Sequence, residues 1–210
     1  MTKEDLQKYC GEEDIISKPF SKGGFSYATD GVLIIRVAQI EGVEEQIINK
    51  PNVDSLWSKH VHEGDSYFPI PEIPEPESNV CTWCFGTGNV NPCPECNGEG
   101  VVYFSNHYNE YECDCETCDG SGFHIGDKTE DKREPKICKR CKGEGKIYKY
   151  GNSTVSGRLY NNKYLLMLKK LPNCVLAEAK DLDPGHFIFD GGDGFIMPLD
   201  PSFVSVGGKK

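Results

Sequence analysis

Four cysteine pairs share one pattern, C-x-x-C-x-G-x-G, and they hold eight of the 11 cysteines in the chain. They are Cys81 and Cys84 with Gly86 and Gly88, Cys93 and Cys96 with Gly98 and Gly100, Cys115 and Cys118 with Gly120 and Gly122, and Cys138 and Cys141 with Gly143 and Gly145. Two thiolates separated by two residues reach one metal ion from a single tight turn, and a second such turn completes a tetrahedral site. Eight thiolates in four pairs therefore predict two closed, structural sites, each holding one Zn²⁺ on four cysteines. The glycines fit the same reading. Just past the second ligand the backbone needs φ > 0 or a close approach, and glycine supplies both at least cost.

Compartment separates metal from disulfide. The opening residues, Met1-Thr-Lys-Glu-Asp-Leu6, hold no apolar stretch of signal-peptide type. No apolar run reaches membrane-spanning length. The expectation is a cytoplasmic protein with no membrane contact, where C-x-x-C pairs serve metal rather than bridges. No acyl-transfer, phosphate-loop or paired-carboxylate motif stands out, so no enzymatic activity is expected. The five histidines, His60, His62, His107, His124 and His186, show no H-E-x-x-H spacing, and His60 and His62 read as surface residues. Cys10 and Cys174 read as buried free cysteines. The competing chemistry is a thiol–disulfide oxidoreductase, with Cys138-Lys-Arg-Cys141 the best candidate because its cations would lower a thiol pKa. A thiolate held in a complete four-cysteine site is not free to react.

The elements that must position these residues lie on both sides of them. The first flank predicts a polar helix at about 3–9 and strands at about 14–20, 24–29 and 31–37, with Gly23-Gly24 and Asp30-Gly31 as hairpin turns. The second predicts a helix at about 160–171, ended by Pro172, and strands at about 174–180, 186–190 and 194–199, with the run Asp190–Gly194 as a turn. The fold class is α+β, as two αβββ units. Pro69-Ile-Pro-Glu-Ile-Pro-Glu-Pro-Glu77 predicts an extended, semi-rigid linker. The cysteine-rich segment thus reads as a module inserted into another domain. The expected boundaries are 1–77 for the first half of that domain with the linker, 78–146 for the module, and 147–210 for the second half.

The four repeats resemble the cysteine-rich zinc domain of DnaJ-type co-chaperones over about residues 81–145. No His-Pro-Asp tripeptide of a J-domain is present. The resemblance implies that the first repeat shares a zinc with the fourth and the second with the third. One site is then Cys81, Cys84, Cys138 and Cys141, and the other Cys93, Cys96, Cys115 and Cys118. Spacing supports the same pairing: residues 97–114 suit a ribbon hairpin between the second and third pairs, whereas 85–92 are short for one between the first and second. Cys113 competes with Cys115, which keeps the x-x spacing and the glycines. The flanks resemble one domain of the sliding-clamp (processivity) fold. The likeness rests on Tyr27-Ala-Thr-Asp-Gly31, on Tyr160-Asn-Asn-Lys-Tyr-Leu-Leu-Met-Leu-Lys-Lys-Leu171 and on Gly194-Phe-Ile-Met-Pro198. It implies a clamp-like scaffold carrying a β-hairpin-rich zinc module.

Formal net charge is −10, and two four-cysteine zinc sites would take it to about −14. That total repels nucleic acid at long range. Residues 132–149 run against the trend. Lys139, Arg140 and Lys142 on the fourth repeat could contact phosphates, although a local counter-charge to the thiolates is the simpler reading. Lys163, Lys169 and Lys170 would serve the same end in a DNA-binding clamp homologue. The preferred reading is a non-enzymatic zinc protein whose module, as the co-chaperone resemblance implies, engages a protein partner.

Overall fold

The computed structural model describes residues 1–46, 51–61, 64–124, 134–178 and 183–200. The chain divides into two units, residues 1–76 with 150–210, and residues 77–149. The first opens with α1 (Lys3–Gln7), started by a capping box in which Thr2 and Asp5 satisfy each other's backbone amides. A 3₁₀ turn (Asp14–Ile16) follows, then β1 (Phe20–Lys22), β2 (Phe25–Thr29), β3 (Leu33–Ala38), α2 (Val53–His60) and β4 (Tyr67–Pro69). The second unit holds β5 (Glu77–Val80), β6 (Asn89–Pro92), β7 (Val101–Ser105), β8 (Glu110–Asp114), β9 (Phe123–His124), β10 (Lys136–Ile137) and β11 (Lys146–Lys149). The chain then re-enters the first unit with β12 (Asn152–Val155), β13 (Arg158–Asn161), α3 (Asn162–Lys169), β14 (Val175–Ala177), β15 (Gly185–Phe189) and β16 (Gly192–Ile196).

Seven of these strands form one antiparallel sheet in the order β1-β2-β3-β16-β15-β14-β4. Period-two alternation gives it two buried faces. Ala28, Leu33, Ile35, Val37, Phe187, Phe189 and Ile196 meet Leu6 of α1 and Leu165 and Leu168 of α3. Each fully buried leucine or phenylalanine there is worth about 1.5–3 kcal/mol of burial. Phe20, Tyr27, Ile34 and Phe195 face the other way and pack on Val53, Leu56 and Trp57 of α2. Asn161 caps α3 by accepting from the Lys163 amide at 2.9 Å. The Tyr164 hydroxyl donates to Asp30 at 2.9 Å, tying α3 to the β2–β3 turn.

On the α2 face one carboxylate collects four hydrogen bonds. Asp193 takes both arms of Arg36 at 2.7 Å, the Trp57 indole at 2.7 Å and His186 Nε2 at 3.1 Å. His186 Nδ1 lies 2.7 Å from the Tyr67 hydroxyl, so the Nε2–H tautomer satisfies every member. The Arg36 guanidinium also lies over the Trp57 ring, 4.4 Å from its centroid. Burial alone would raise the Asp193 carboxyl. The bonds from His186, Arg36 and Trp57 outweigh it and hold the group below the ordinary carboxylate value. A depressed carboxylate contributes its stability at neutral pH and loses it as pH falls through the lowered value.

The expectation of two αβββ units forming one clamp-like domain is overturned. The class is α+β, but the sheet is open, running from β1 at one edge to β4 at the other, and no described sheet is closed or curled. The α2 helix, β4 and the β12–β13 hairpin also interrupt the expected repeat. Alternating apolar residues between glycine turns occur in many antiparallel sheets, so the short motifs that carried the clamp resemblance mark local elements, a hairpin, the helix α3 and a sheet strand, and not a ring. The predicted strand at 14–20 is a 3₁₀ turn followed by β1, and Tyr160 lies in β13 rather than α3. The proline run after β4 has no strand over residues 70–76, yet Ile73 is buried in the first core, so it is an anchored segment. Cys10 and Cys174 are half-buried against that core, and burial pushes their thiols to about 11 and about 12. His62 lies outside the described residues. His60 is largely buried beside Phe195, with its Nδ1 3.6 Å from Asp183.

Replacing Asp193 by Asn leaves the Arg36 charge short of its counter-ion in a largely enclosed site. Urea unfolding is expected to show a loss of about 3 kcal/mol. Asp54→Asn removes an exposed partner of Lys22 and is expected to cost under about 1 kcal/mol.

Candidate metal centre

The second unit places all eight repeat cysteines in two buried clusters. Cys81, Cys84, Cys138 and Cys141 form one, Cys93, Cys96, Cys115 and Cys118 the other, and within each the four sulfurs lie within 4.8 Å of one another. The sulfur pairs across repeats are 3.9 Å (Cys81–Cys138), 3.5 Å (Cys84–Cys141), 3.9 Å (Cys93–Cys115) and 3.8 Å (Cys96–Cys118). A tetrahedron with zinc–sulfur bonds of about 2.3 Å has an edge of about 3.8 Å. The two clusters are therefore geometrically compatible with two Zn²⁺ sites. Cys113, on β8, is exposed and belongs to neither cluster.

Backbone hydrogen bonds join the same repeats. The Cys81 amide donates to Gly145 O and the Cys138 amide to Gly88 O, both at 2.8 Å. Likewise Cys93 donates to Gly122 O at 2.9 Å and Cys115 to Gly100 O at 2.8 Å. The last glycine of each repeat also donates its own amide to the second sulfur of that repeat, at 3.2–3.3 Å. These glycines have φ between 72° and 88°. A Cβ at Gly88 would collide with the Gly143 carbonyl, and one at Gly145 with that of Gly86. Positive φ and backbone contact thus coincide at one position, which only glycine fills. The residue just after the second cysteine is left-handed too, and there it is never glycine: Phe85, Asn97, Asp119 and Lys142 have φ of 48–52°. The sequence reading placed that demand on glycine alone. A single left-handed non-glycine residue costs about 1–2 kcal/mol.

Electrostatics follows from the same contacts. Burial opposes ionisation of Cys84, but the Gly88 and Gly86 amides and the neighbouring Cys141 and Cys81 thiols pull it down to about 6. Burial likewise opposes ionisation of Cys96, which falls to about 7 through the Gly100 and Gly98 amides and the Cys118 and Cys93 thiols. Burial pushes Cys115 and Cys138 up to about 12 and about 11. Each metal-free cluster thus holds one thiol that ionises readily and one that keeps its proton at neutral pH. A soft divalent cation bound there would displace that proton and offset half of the four thiolate charges, so metal affinity is expected to rise with pH.

Strand β6 leaves the first repeat and enters the second, and pairs with β10 on one side and β9 on the other. It thereby joins the two clusters. Trp83 packs on Phe123 with ring centroids 4.7 Å apart, and these two with Val90 and Ile147 back the first cluster. The sequence reading missed this bridge, whose signal is the aromatic residue between Cys81 and Cys84. Lys139, Arg140 and Lys142 are exposed on the fourth repeat. The Arg140 guanidinium donates to the Thr82 hydroxyl at 3.0 Å and lies 5.3 Å from the Trp83 ring centroid. Lys132 and Arg133 lie outside the described residues. In the first unit Lys169 pairs with Glu72 at 2.7 Å, and Lys163 lies 3.9 Å from Asp30.

No family model, curated protein or solved structure matches the chain. The resemblance to the DnaJ-type zinc domain is therefore not supported as an identity, and the clamp resemblance is contradicted by the open sheet. What stands is two buried four-cysteine clusters suited to zinc. No helix among the described residues is long and apolar enough to cross a membrane.

Gly145→Ala places a methyl group against the Gly86 carbonyl at a left-handed backbone position. Competition with a chromophoric chelator is expected to show zinc lost from the first cluster about tenfold more readily, a cost of about 1–2 kcal/mol. The second cluster keeps its affinity.

Proposed function

We propose that the protein is a non-enzymatic zinc-binding protein. Its two-site module holds a surface for docking another protein, and the seven-stranded unit is its scaffold. One observation carries the reading. All eight repeat cysteines are turned inward, each cluster already offers four sulfurs, and none is left over for an open coordination position. A catalytic zinc keeps three protein ligands and a place for water or substrate, whereas a structural zinc is closed. The proposed ligands are Cys81, Cys84, Cys138 and Cys141 for one Zn²⁺ and Cys93, Cys96, Cys115 and Cys118 for the other. The glycine amides that bond to the sulfurs act as their outer shell.

The thiol–disulfide oxidoreductase reading finds less support. A reactive cysteine needs a lowered pKa and access. Cys138, in the pair best placed by its neighbours, is fully buried, and its thiol is pushed up to about 11. Nucleic acid remains the weaker partner class, because net charge of −10 opposes approach.

Hydrogen exchange on the zinc-loaded chain before and after strong chelator tests the structural role. Protection is expected to vanish across 77–149 and to persist in β3 and α3, because structural zinc supplies the folding free energy of small modules. Turnover of a model disulfide by the zinc-loaded protein would instead favour the oxidoreductase.

A further inference from the structure

Between Asn89 and His124 the chain carries seven acidic residues and no lysine or arginine. At the centre of this stretch the β7–β8 hairpin pairs with no other strand among the described residues. Its register puts Val101, Tyr103 and Ser105 opposite Asp114, Glu112 and Glu110 on one face. Val102 and Phe104 oppose Cys113 and Tyr111 on the other. Val102 packs on the second cysteine cluster and roots the hairpin there. Further out the aromatic residues are exposed. Tyr103 is 65% exposed, Phe104 56% and Tyr108 86%.

Contacts within the hairpin order its tip. The Asn106 side chain accepts from the Tyr108 and Asn109 amides at 2.9 Å, and Phe104 and Tyr111 stack with centroids 5.2 Å apart. Tyr103, Phe104, Ser105, Glu110 and Tyr111 line a groove of about 300 Å³. Exposed aromatics on a pre-ordered hairpin are what a binding surface needs, since the ordering entropy is spent before a partner arrives.

Charge selects the occupant. Exposed aromatic rings suit stacked bases, but a nucleic-acid strand also needs cations along its backbone. This hairpin offers Glu110, Glu112 and Asp114 instead, and a zinc-loaded second cluster would add two negative charges at its root. Carboxylates beside tyrosine faces suit lysine and arginine, through ion pairs and cation–π contacts. The unpaired outer edges of β7 and β8 suit an extended chain that adds as a further strand.

We propose that the β7–β8 hairpin docks an extended, basic segment of a partner protein. Phe104 and the tyrosines anchor its apolar side chains, and Glu110 and Glu112 pair its lysines or arginines. This rests on the reading of the module as a zinc-organised protein-docking surface and names the surface and the partner chemistry.

Fluorescence anisotropy on the full, zinc-loaded chain tests it, with a short synthetic peptide alternating arginine and valine as probe. The probe is expected to bind, with affinity falling as salt rises. An alternating glutamate and valine peptide and an oligothymidylate are expected not to bind. Joint replacement Tyr103→Ser with Phe104→Ser is expected to weaken the probe at least about tenfold. Glu110→Gln with Glu112→Gln is expected to weaken it and flatten its salt dependence. The assignment is overturned if both variants bind like the original chain, if the oligothymidylate binds better, or if the chain self-associates and ignores the peptide. Zinc content measured on the same samples separates two failures. Two zinc ions per chain without peptide binding sinks the hairpin assignment alone. A chain that holds no zinc sinks the reading beneath it as well.

Discussion

Everything in the second unit depends on holding eight sulfurs in two groups of four. The unit has little else to fold around. Among the described residues, Val90, Phe123, Trp83 and Ile147 back one cluster and Val102 the other. Cores this small rarely hold a fold without a staple. Sulfurs 3.5–3.9 Å apart across repeats would repel if all were ionised, so four thiolates at either centre would need a cation. A zinc ion, as proposed, would supply both the counter-charge and the cross-link. The left-handed turns, the glycines in backbone contact and the amides aimed at sulfur each place four thiolates at the corners of one tetrahedron.

The closure is nested, and it brings the two ends of the second unit together. Repeats two and three close on each other inside repeats one and four. Outside these, β5 pairs with β11, so Glu77 and Lys149, where the unit begins and ends, are partners in one ladder. Adjacent entry and exit points are what an inserted unit requires. The first unit closes across the same interruption through its own contacts. Strand β3, from before the insertion, pairs with β16, from after it, and the Arg36–Asp193 ion pair lies on that seam. Distant sequence segments are thus joined in each unit by its own ladder and polar contacts.

The cysteine arrangement was legible because its chemistry is written in spacing. Two residues between thiols, a glycine two and four positions later, and unequal gaps between repeats are all sequence quantities. The hairpins at Gly23-Gly24 and Asp30-Gly31 were legible for the same local reason. What escaped depends on distant partners. The α2 helix owes its place to Trp57 reaching Asp193, a contact that no local pattern announces. Strand β4 is short and followed by prolines, yet it extends the sheet by pairing with β14. Ile73 enters the core from the middle of a proline run that composition alone marks as linker. The clamp likeness failed for a related reason: short strand and helix motifs are shared by many folds, and only strand order across the whole sheet distinguishes them.

Anomalous diffraction at the zinc edge reads the composition of the two sites without any labelling. The expectation is two anomalous peaks. One is surrounded by the sulfurs of Cys81, Cys84, Cys138 and Cys141, and the other by those of Cys93, Cys96, Cys115 and Cys118, each at about 2.3 Å. A single peak, a site shared by Cys81, Cys84, Cys93 and Cys96, or Cys113 in place of Cys115 would contradict it.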